Sequence, residues 1–175
     1  EAALSLRTEQ RLGPVDHRLA LEGRWFESAF VDRLAQETPG TIAPMFSVSA
    51  SAKSEDGQLA GAQLMAVDER LWAMGGQEVV LAPGEVILNA SLASALGVAV
   101  GDAVIFRFES PDALPAESAL RTEAALANMR LTVSAVHSGA WPVEMGLHSS
   151  DQSPFNAFVS LDELESRLGW RPLNT

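Results

Sequence analysis

The chain has 175 residues, of which 47% are hydrophobic, so it is long enough to bury a core in one domain or two small ones. Its net charge of -11 and pI near 4.6 argue against a nucleic-acid or anionic-membrane partner, because both require a broad basic face. It has no cysteine, which excludes disulfides and thiolate metal sites, and no apolar run reaches the roughly 20 residues that span a bilayer.

The first predicted elements are an extended segment and a helix. Residues 1 to 24 are predicted to be extended around a turn at Gly13-Pro14. Residues 24 to 37 are predicted to be helical, because large apolar side chains repeat at every fourth position, and Pro39-Gly40 ends the helix. The repeating side chains are Phe26, Phe30 and Leu34.

A hairpin and a short helix are predicted next. The strands at residues 42–52 and 59–67 flank Asp56-Gly57, a pair typical of hairpin turns. Asp68 is placed to cap a helix that Gly75-Gly76 ends. This part is therefore predicted to contribute two antiparallel strands and one helix.

The stretch from Glu85 to Phe108 predicts a strand, a short helix, a tight turn and a second strand, with almost no residues between these elements. Asn89 can cap the helix, and Gly97 supplies the left-handed residue that ends it. In the Gly101-Asp102 turn, the aspartate is predicted to accept from local backbone N–H groups. We interpret this unit as a folding nucleus.

A projecting acidic loop is predicted at residues 110–128. The alternating residues 129–136 are predicted to pair with the strand at 103–108. A last strand at 155–159 leads into a helix that begins with a capping box, Ser160 and Glu163. Because few strand-helix-strand units recur, the sequence predicts an α+β fold.

The sequence has no glycine-rich phosphate loop, no G-x-S-x-G elbow and no H-E-x-x-H motif. Glu144 and His148 stand four residues apart, as helical metal ligands do, but Gly146 lies between them and no third ligand is near. His17 and His137 are isolated. The sequence therefore predicts no catalytic residue, no metal site and no cofactor.

The loop at residues 138–154 has more large apolar side chains than a polar connection needs, and two alternatives are open. It either folds back onto its own sheet or meets a partner. Aromatic and methionine side chains are enriched at interface cores, so three residues are the predicted partner contacts. These are Trp141, Met145 and Leu147.

Several loose motifs, taken in order along most of the chain, resemble the extracytoplasmic domain of bacterial ABC transporter permeases of the MacB and FtsX type. They are RLGPVDHRLAL at 11–21, RWF at 24–26, VDERLWAMGG at 67–76, VILNASLASALGVAVGDAVIFRF at 86–108, LTVSAV at 131–136 and DQSPFNAFVSLDELESRLG at 151–169.

The resemblance implies a non-catalytic domain on the periplasmic or extracellular face of the membrane, between the first and second transmembrane helices. Glu1 and Thr175 would each lead into a membrane helix. The implied partners are these helices, a cytoplasmic ATPase subunit, and a second permease copy or an extracytoplasmic accessory protein. Exporter, lipoprotein-releasing and enzyme-activating roles all stay open.

The family fold is a porter-like α+β subdomain split in sequence, with an inserted mainly β subdomain. Carried onto this chain, the split subdomain would comprise residues 1–78 and 150–175, and the insert residues 79–149.

A second resemblance supports an alternative. The pattern lGvxxGDxV, here from Leu96 to Val104, also occurs in double-psi barrel modules such as molybdopterin-binding and AAA-associated domains. Such a barrel contains two units in pseudo-symmetric positions, and this sequence shows one. The alternative function is a ligand- or partner-binding module.

Overall fold

A computed structural model describes residues 13–20, 26, 28–110, 126–139, 141–146, 154–169 and 173–174. Helices and strands are intermixed along the described chain. They are α1 (Ser28–Glu37), β1 (Met45–Ser54), β2 (Leu59–Val67), α2 (Glu69–Met74), β3 (Glu85–Asn89), α3 (Ala90–Leu96), β4 (Ala103–Glu109), β5 (Leu126–His137), β6 (Asn156–Ser160) and α4 (Leu161–Leu168).

The strands form one closed barrel in the order β1-β2-β6-β3-β5-β4, and β4 pairs with β1 to close it. The β2–β6 and β3–β5 pairs are parallel, whereas the other neighbours are antiparallel. The predicted hairpin of β1 and β2 and the predicted pairing of β4 with β5 are both confirmed. Because the sheet closes on itself, this barrel has no edge strand along which another strand could add.

The barrel interior is filled by alternate side chains of all six strands. In β4, for example, Val104 and Phe106 point inward and are 0% exposed. Leu92 and Leu96 of α3 join the same core and close the end of the barrel at which β3 ends. Because β6 is antiparallel to β3, α4 starts at the opposite end, where Leu164 is buried.

Three strands run directly into helices through a capping residue. The side chains of Asp68, Asn89 and Ser160 each accept a hydrogen bond at 3.0 Å from a backbone N–H of the first turn. Gly97 and Gly169 end α3 and α4 in the left-handed conformation, at φ 65° and 76°. The predicted caps at all three helix starts are therefore confirmed.

Only half of the predicted capping box forms. Ser160 Oγ accepts from the N–H of Glu163, but the Glu163 carboxylate accepts from the Gly84 N–H at 2.8 Å and pairs with Arg167 Nε at 2.8 Å. Glu163 is 3% exposed, so these partners offset the loss of hydration of its charge. The carboxylate thus holds the turn before β3 against α4.

The Gly101-Asp102 turn is tied to the neighbouring strand. Asp102 Oδ2 accepts from the Ala99 N–H at 2.8 Å, which confirms the predicted turn role of this aspartate. The Gly101 N–H donates to the Val133 carbonyl at 2.8 Å, and the Val133 N–H donates to the Asp102 carbonyl at 2.9 Å. These bonds fix the point at which β4 begins beside β5.

The barrel combines strands from both parts of the predicted subdomain division. β1, β2 and β6 come from residues 1–78 and 150–175, whereas β3, β4 and β5 come from residues 79–149. The mixed helix and strand composition agrees with the sequence. The split subdomain arrangement is not confirmed by this sheet and stays a prediction.

Candidate functional site: an apolar layer outside the barrel

The outer surface of β2, β6 and β3 is apolar and covered. Met65, Ile87 and Phe158 point outward from these strands, yet each is at most 2% exposed. The cover is made by α2, residues 79–81 and residues 141–146, which together with these strand faces we call the apolar layer. Trp72 of α2 lies at its centre, 1% exposed, with its ring 5.3 Å from that of Phe158.

Residues 141–146 are fastened to the barrel by a buried asparagine. Asn156 Nδ2 donates to the carbonyl oxygens of Val143 and Met145, both at 2.9 Å. Asn156 is 1% exposed, Val143 0% and Met145 6%. The segment is therefore held by its backbone as well as by its apolar side chains.

A second buried asparagine extends this network. Asn89 Oδ1 accepts from the N–H groups of Leu92 at 3.0 Å and Asn156 at 3.2 Å, and its Nδ2 donates to the Pro154 carbonyl at 2.6 Å. The residue that caps α3 thus also fixes the start of β6. One hydrogen-bonded chain joins α3, β6 and the apolar layer.

Trp141 occupies a slot between two glycines. A Cβ atom at Gly13 would lie 2.3 Å from Trp141 Cδ1, and one at Gly75 would lie 2.9 Å from Trp141 Cε3. Gln77 Nε2 donates to the Trp141 carbonyl at 2.9 Å. The half-buried indole therefore connects residues 13–20 to the end of α2.

The indole nitrogen of Trp141 is buried, and no hydrogen-bond partner for it lies within the part of the chain that the structure describes. A buried N–H without an acceptor loses hydration that nothing replaces. The indole is therefore held in its slot by packing against Gly13 and Gly75.

The predicted partner contacts lie in different surroundings. Met145 is buried in the chain's own apolar layer, whereas Trp141 is half-buried in the glycine slot. Leu147 lies outside the described residues, as does His148. Their role as partner contacts stays a prediction, but Val143 and Met145 show that this part of the loop folds back onto the barrel.

The sequence reading missed the residues that hold the layer. The sequence pattern predicts only that Asn156 lies in a strand, although an amide at the start of the apolar run NAFVS is a signal for a buried hydrogen-bonding role. Gly13 and Gly75 are predicted from the sequence only as a turn residue and a helix-ending residue. Their proximity to Trp141 spans more than 60 positions and leaves no local mark in the sequence.

Phe26, which precedes α1, and Leu173, which follows α4, lie side by side. The Phe26 N–H donates to the Leu173 carbonyl at 2.6 Å in an isolated antiparallel bridge. Asn174 continues this contact along β1: its Nδ2 donates to the Ser47 carbonyl and its Oδ1 accepts from the Ser47 N–H, both at 2.8 Å. The last described residues are therefore bound to the first strand of the barrel.

A cleft of about 400 Å³ lies beside the apolar layer, between the starts of α2 and α4. Its lining includes Asp68, Leu81, Ser160 and Asp162. Asp68 caps α2 and pairs with Arg70, and Ser160 caps α4. Both side chains thus serve the fold, and we assign no chemistry to this cleft.

No protein-family model matches the chain, and no curated protein matches it in sequence. Among the described helices, none has the length and apolar character that crossing a membrane requires.

Solved structures do match. The periplasmic region of MacB from Actinobacillus actinomycetemcomitans matches with a TM-score of 0.51 at 15% identity, over 86% of this chain and 63% of that one. A domain of a protein assigned as a permease, from Porphyromonas gingivalis, has a TM-score of 0.47 at 16% identity, over 91% of this chain and 62% of that one.

The double-psi-barrel alternative is not favoured, since the fold that the chain shares is that of the periplasmic region of MacB. The chain spans less than two thirds of each of the two matched structures. Over 86% of its length, the chain has the fold of the periplasmic region of MacB, in agreement with the family that its sequence resembles.

Proposed function

We propose that this chain is a non-catalytic extracytoplasmic domain of an ABC transporter permease. The observation that supports the proposal most is the fold shared with the periplasmic region of MacB over 86% of the chain. In this role the domain couples movement of its own transmembrane helices to the handling of a substrate or partner outside the cytoplasm. ATP hydrolysis belongs to a separate cytoplasmic domain or subunit.

The pairing of Phe26 with Leu173 supports a coupling role. Phe26 and Leu173 are hydrogen-bonded neighbours, so a segment that precedes α1 and a segment that follows α4 meet at this point. A displacement of the segment at Leu173 reaches β1 directly, because Asn174 is bonded to Ser47 and Met45. The closed barrel then distributes that displacement to the apolar layer.

The proposed partners outside the cytoplasm are a second permease copy or an accessory protein. Trp141, with Met145 and Leu147 beside it along the chain, remains the proposed contact. Because Met145 is 6% exposed, a partner would reach this side chain only after residues 141–146 leave the barrel. Trp141 is more accessible and would be met first.

The location can be tested with a single cysteine in the full-length protein. Val80 is 91% exposed and this chain has no cysteine, so Val80→Cys is expected to react with a membrane-impermeant maleimide on intact spheroplasts. Leu64→Cys, at a position that is 0% exposed, is the control and should react only after denaturation. Labelling of Val80→Cys only after the membrane is permeabilised would place the domain in the cytoplasm and refute the proposal.

Coupling can be tested at Asn174. Asn174→Ala removes two hydrogen bonds to Ser47 and is expected to lower the free energy of unfolding by about 1 to 3 kcal/mol, measured in urea. In the full-length complex, basal ATP hydrolysis should persist while its stimulation by substrate or partner is lost. Gln36→Ala, at an exposed position of α1, is the control. Unchanged stimulation in Asn174→Ala would argue against transmission through this contact.

A further inference from the structure

The half of the barrel opposite the apolar layer presents a different surface. On β1, β4 and β5 most outward side chains are exposed, and Lys53, Ile105 and Arg130 form one row across the three strands. Arg107 lies two residues further along β4 on the same face. We call Lys53, Ile105, Arg107 and Arg130 the basic patch.

The charge of the basic patch is opposite in sign to the net charge of the chain. The whole chain has 12 basic and 23 acidic residues, yet this face brings three cations together. Among the described residues, two carboxylates lie beside these cations: Glu55, which is paired with Arg130, and Glu109, which is exposed two positions beyond Arg107 on the same face of β4. Three positive and two negative charges leave a local excess of one positive charge. At the centre, Ile105 is 38% exposed.

The cations of the basic patch retain binding capacity. Within the described residues, Lys53 has no ion-pair partner, and Arg107 uses its Nε–H on Asn128 Oδ1 at 3.0 Å. A guanidinium has five N–H donors in all. The side chains of Arg130 and Glu55 are 65% and 61% exposed, and pairs as exposed as this one contribute little to stability. A new carboxylate can therefore bind without breaking a buried contact.

We propose that the basic patch is a docking surface for an acidic segment of a partner protein. An apolar side chain of that segment covers Ile105, and flanking carboxylates reach Lys53, Arg107 and Arg130. Charge complementarity is the basis for this choice of partner. Since the barrel has no open edge, the segment binds through side chains rather than as an added strand. The inference is independent of the permease proposal.

Two other ligands fit less well. A nucleic acid or an anionic membrane presents a continuous row of phosphates, which the net charge of -11 repels beyond the patch. Neither ligand offers an apolar group to cover Ile105 at the level of its phosphates. A protein segment supplies carboxylates and an apolar side chain together.

Binding is best followed by amide chemical shifts of the 175-residue chain, titrated with a synthetic 12-residue peptide of alternating Glu and Leu. Saturable shifts are expected at Lys53, Ile105, Arg107 and Arg130. The double variant Lys53→Gln, Arg130→Gln should weaken binding about fivefold or more. Arg33→Gln, at an exposed position of α1, is the control and should bind as the parent does. Raising the salt concentration should weaken binding of both parent and control.

Three outcomes would overturn the proposal. They are shifts that map elsewhere on the barrel, equal binding by a peptide with Lys in place of Glu, and binding that the double variant leaves unchanged. The same shifts on adding vesicles of anionic lipid, without any response to the peptide, would identify a membrane contact instead. A concentration-dependent shift of the same amides without peptide would identify a second copy of the chain.

Discussion

Replacing Trp72 by alanine is expected to lower the free energy of unfolding by about 3 to 5 kcal/mol, measured by urea denaturation of the 175-residue chain. The side chain is 1% exposed, and its ring contacts that of Phe158 at an interplanar angle of 59° at the centre of the apolar layer. Its removal opens a cavity between α2 and β6 that the surrounding strands, fixed by their pairing, cannot fill.

Met74→Ala, on the same helix, is the matched control. Met74 is half-buried, and alanine favours the helix at least as well as methionine does, so the loss should be much smaller than for Trp72→Ala. A loss below about 1 kcal/mol for Trp72→Ala would show that the apolar layer contributes little to stability. It would also remove the physical reason for treating this layer as a fixed part of the domain.

Local signals in the sequence predicted the helix starts and the tight turns well. A capping side chain accepts from a backbone N–H two or three residues away, so the signal and the structure it specifies lie in the same few residues. Asp68 and Asn89 are cases of this kind. Asp102 and its acceptance from Ala99 N–H belong to the same class.

Closure of the barrel could not be predicted in this way. The β4–β1 pairing joins Ser51 to Arg107, and the β2–β6 pairing joins Gln63 to Asn156, across long stretches of chain. A strand's pattern of inward and outward residues shows which face is buried, but not which strand lies beside it. The sequence therefore predicted the strands and their faces, whereas the parallel pairs come from the structure.

The side-chain contacts of the candidate site also join residues that are far apart in the sequence, so they could not be predicted from local patterns. The large apolar side chains of residues 138–154 predict that this loop is covered, but they do not indicate whether the chain itself or a partner covers it. The chain itself covers Met145, because Asn156 donates to the Met145 carbonyl and Phe158 packs in the same apolar layer. Trp141 lies against Gly13 and Gly75, and glycines have no side chain from which a contact could be predicted.

Met145→Ala and Trp141→Ala are expected to separate packing from partner contact. Met145→Ala should lower the free energy of unfolding by about 2 to 5 kcal/mol, because the side chain is buried in the apolar layer. Trp141→Ala should cost about 2 to 4 kcal/mol, less than a fully buried tryptophan, because the indole is half-buried and its N–H has no acceptor among the described residues. Denaturation in urea measures both values.

Function then has to be compared at equal stability. Leu96→Ala is the matched control, because Leu96 is 1% exposed, lies in α3 away from the apolar layer, and should lose a similar 2 to 5 kcal/mol, roughly as other buried leucines do. If Trp141 contacts a partner, Trp141→Ala should impair transport or assembly of the full-length protein more than Leu96→Ala does. Trp141→Phe, which keeps an apolar ring in the slot between Gly13 and Gly75, should restore most of that function. Equal impairment by Trp141→Ala and Leu96→Ala would mean that stability accounts for the whole effect, and the proposed contact at Trp141 would have to be abandoned.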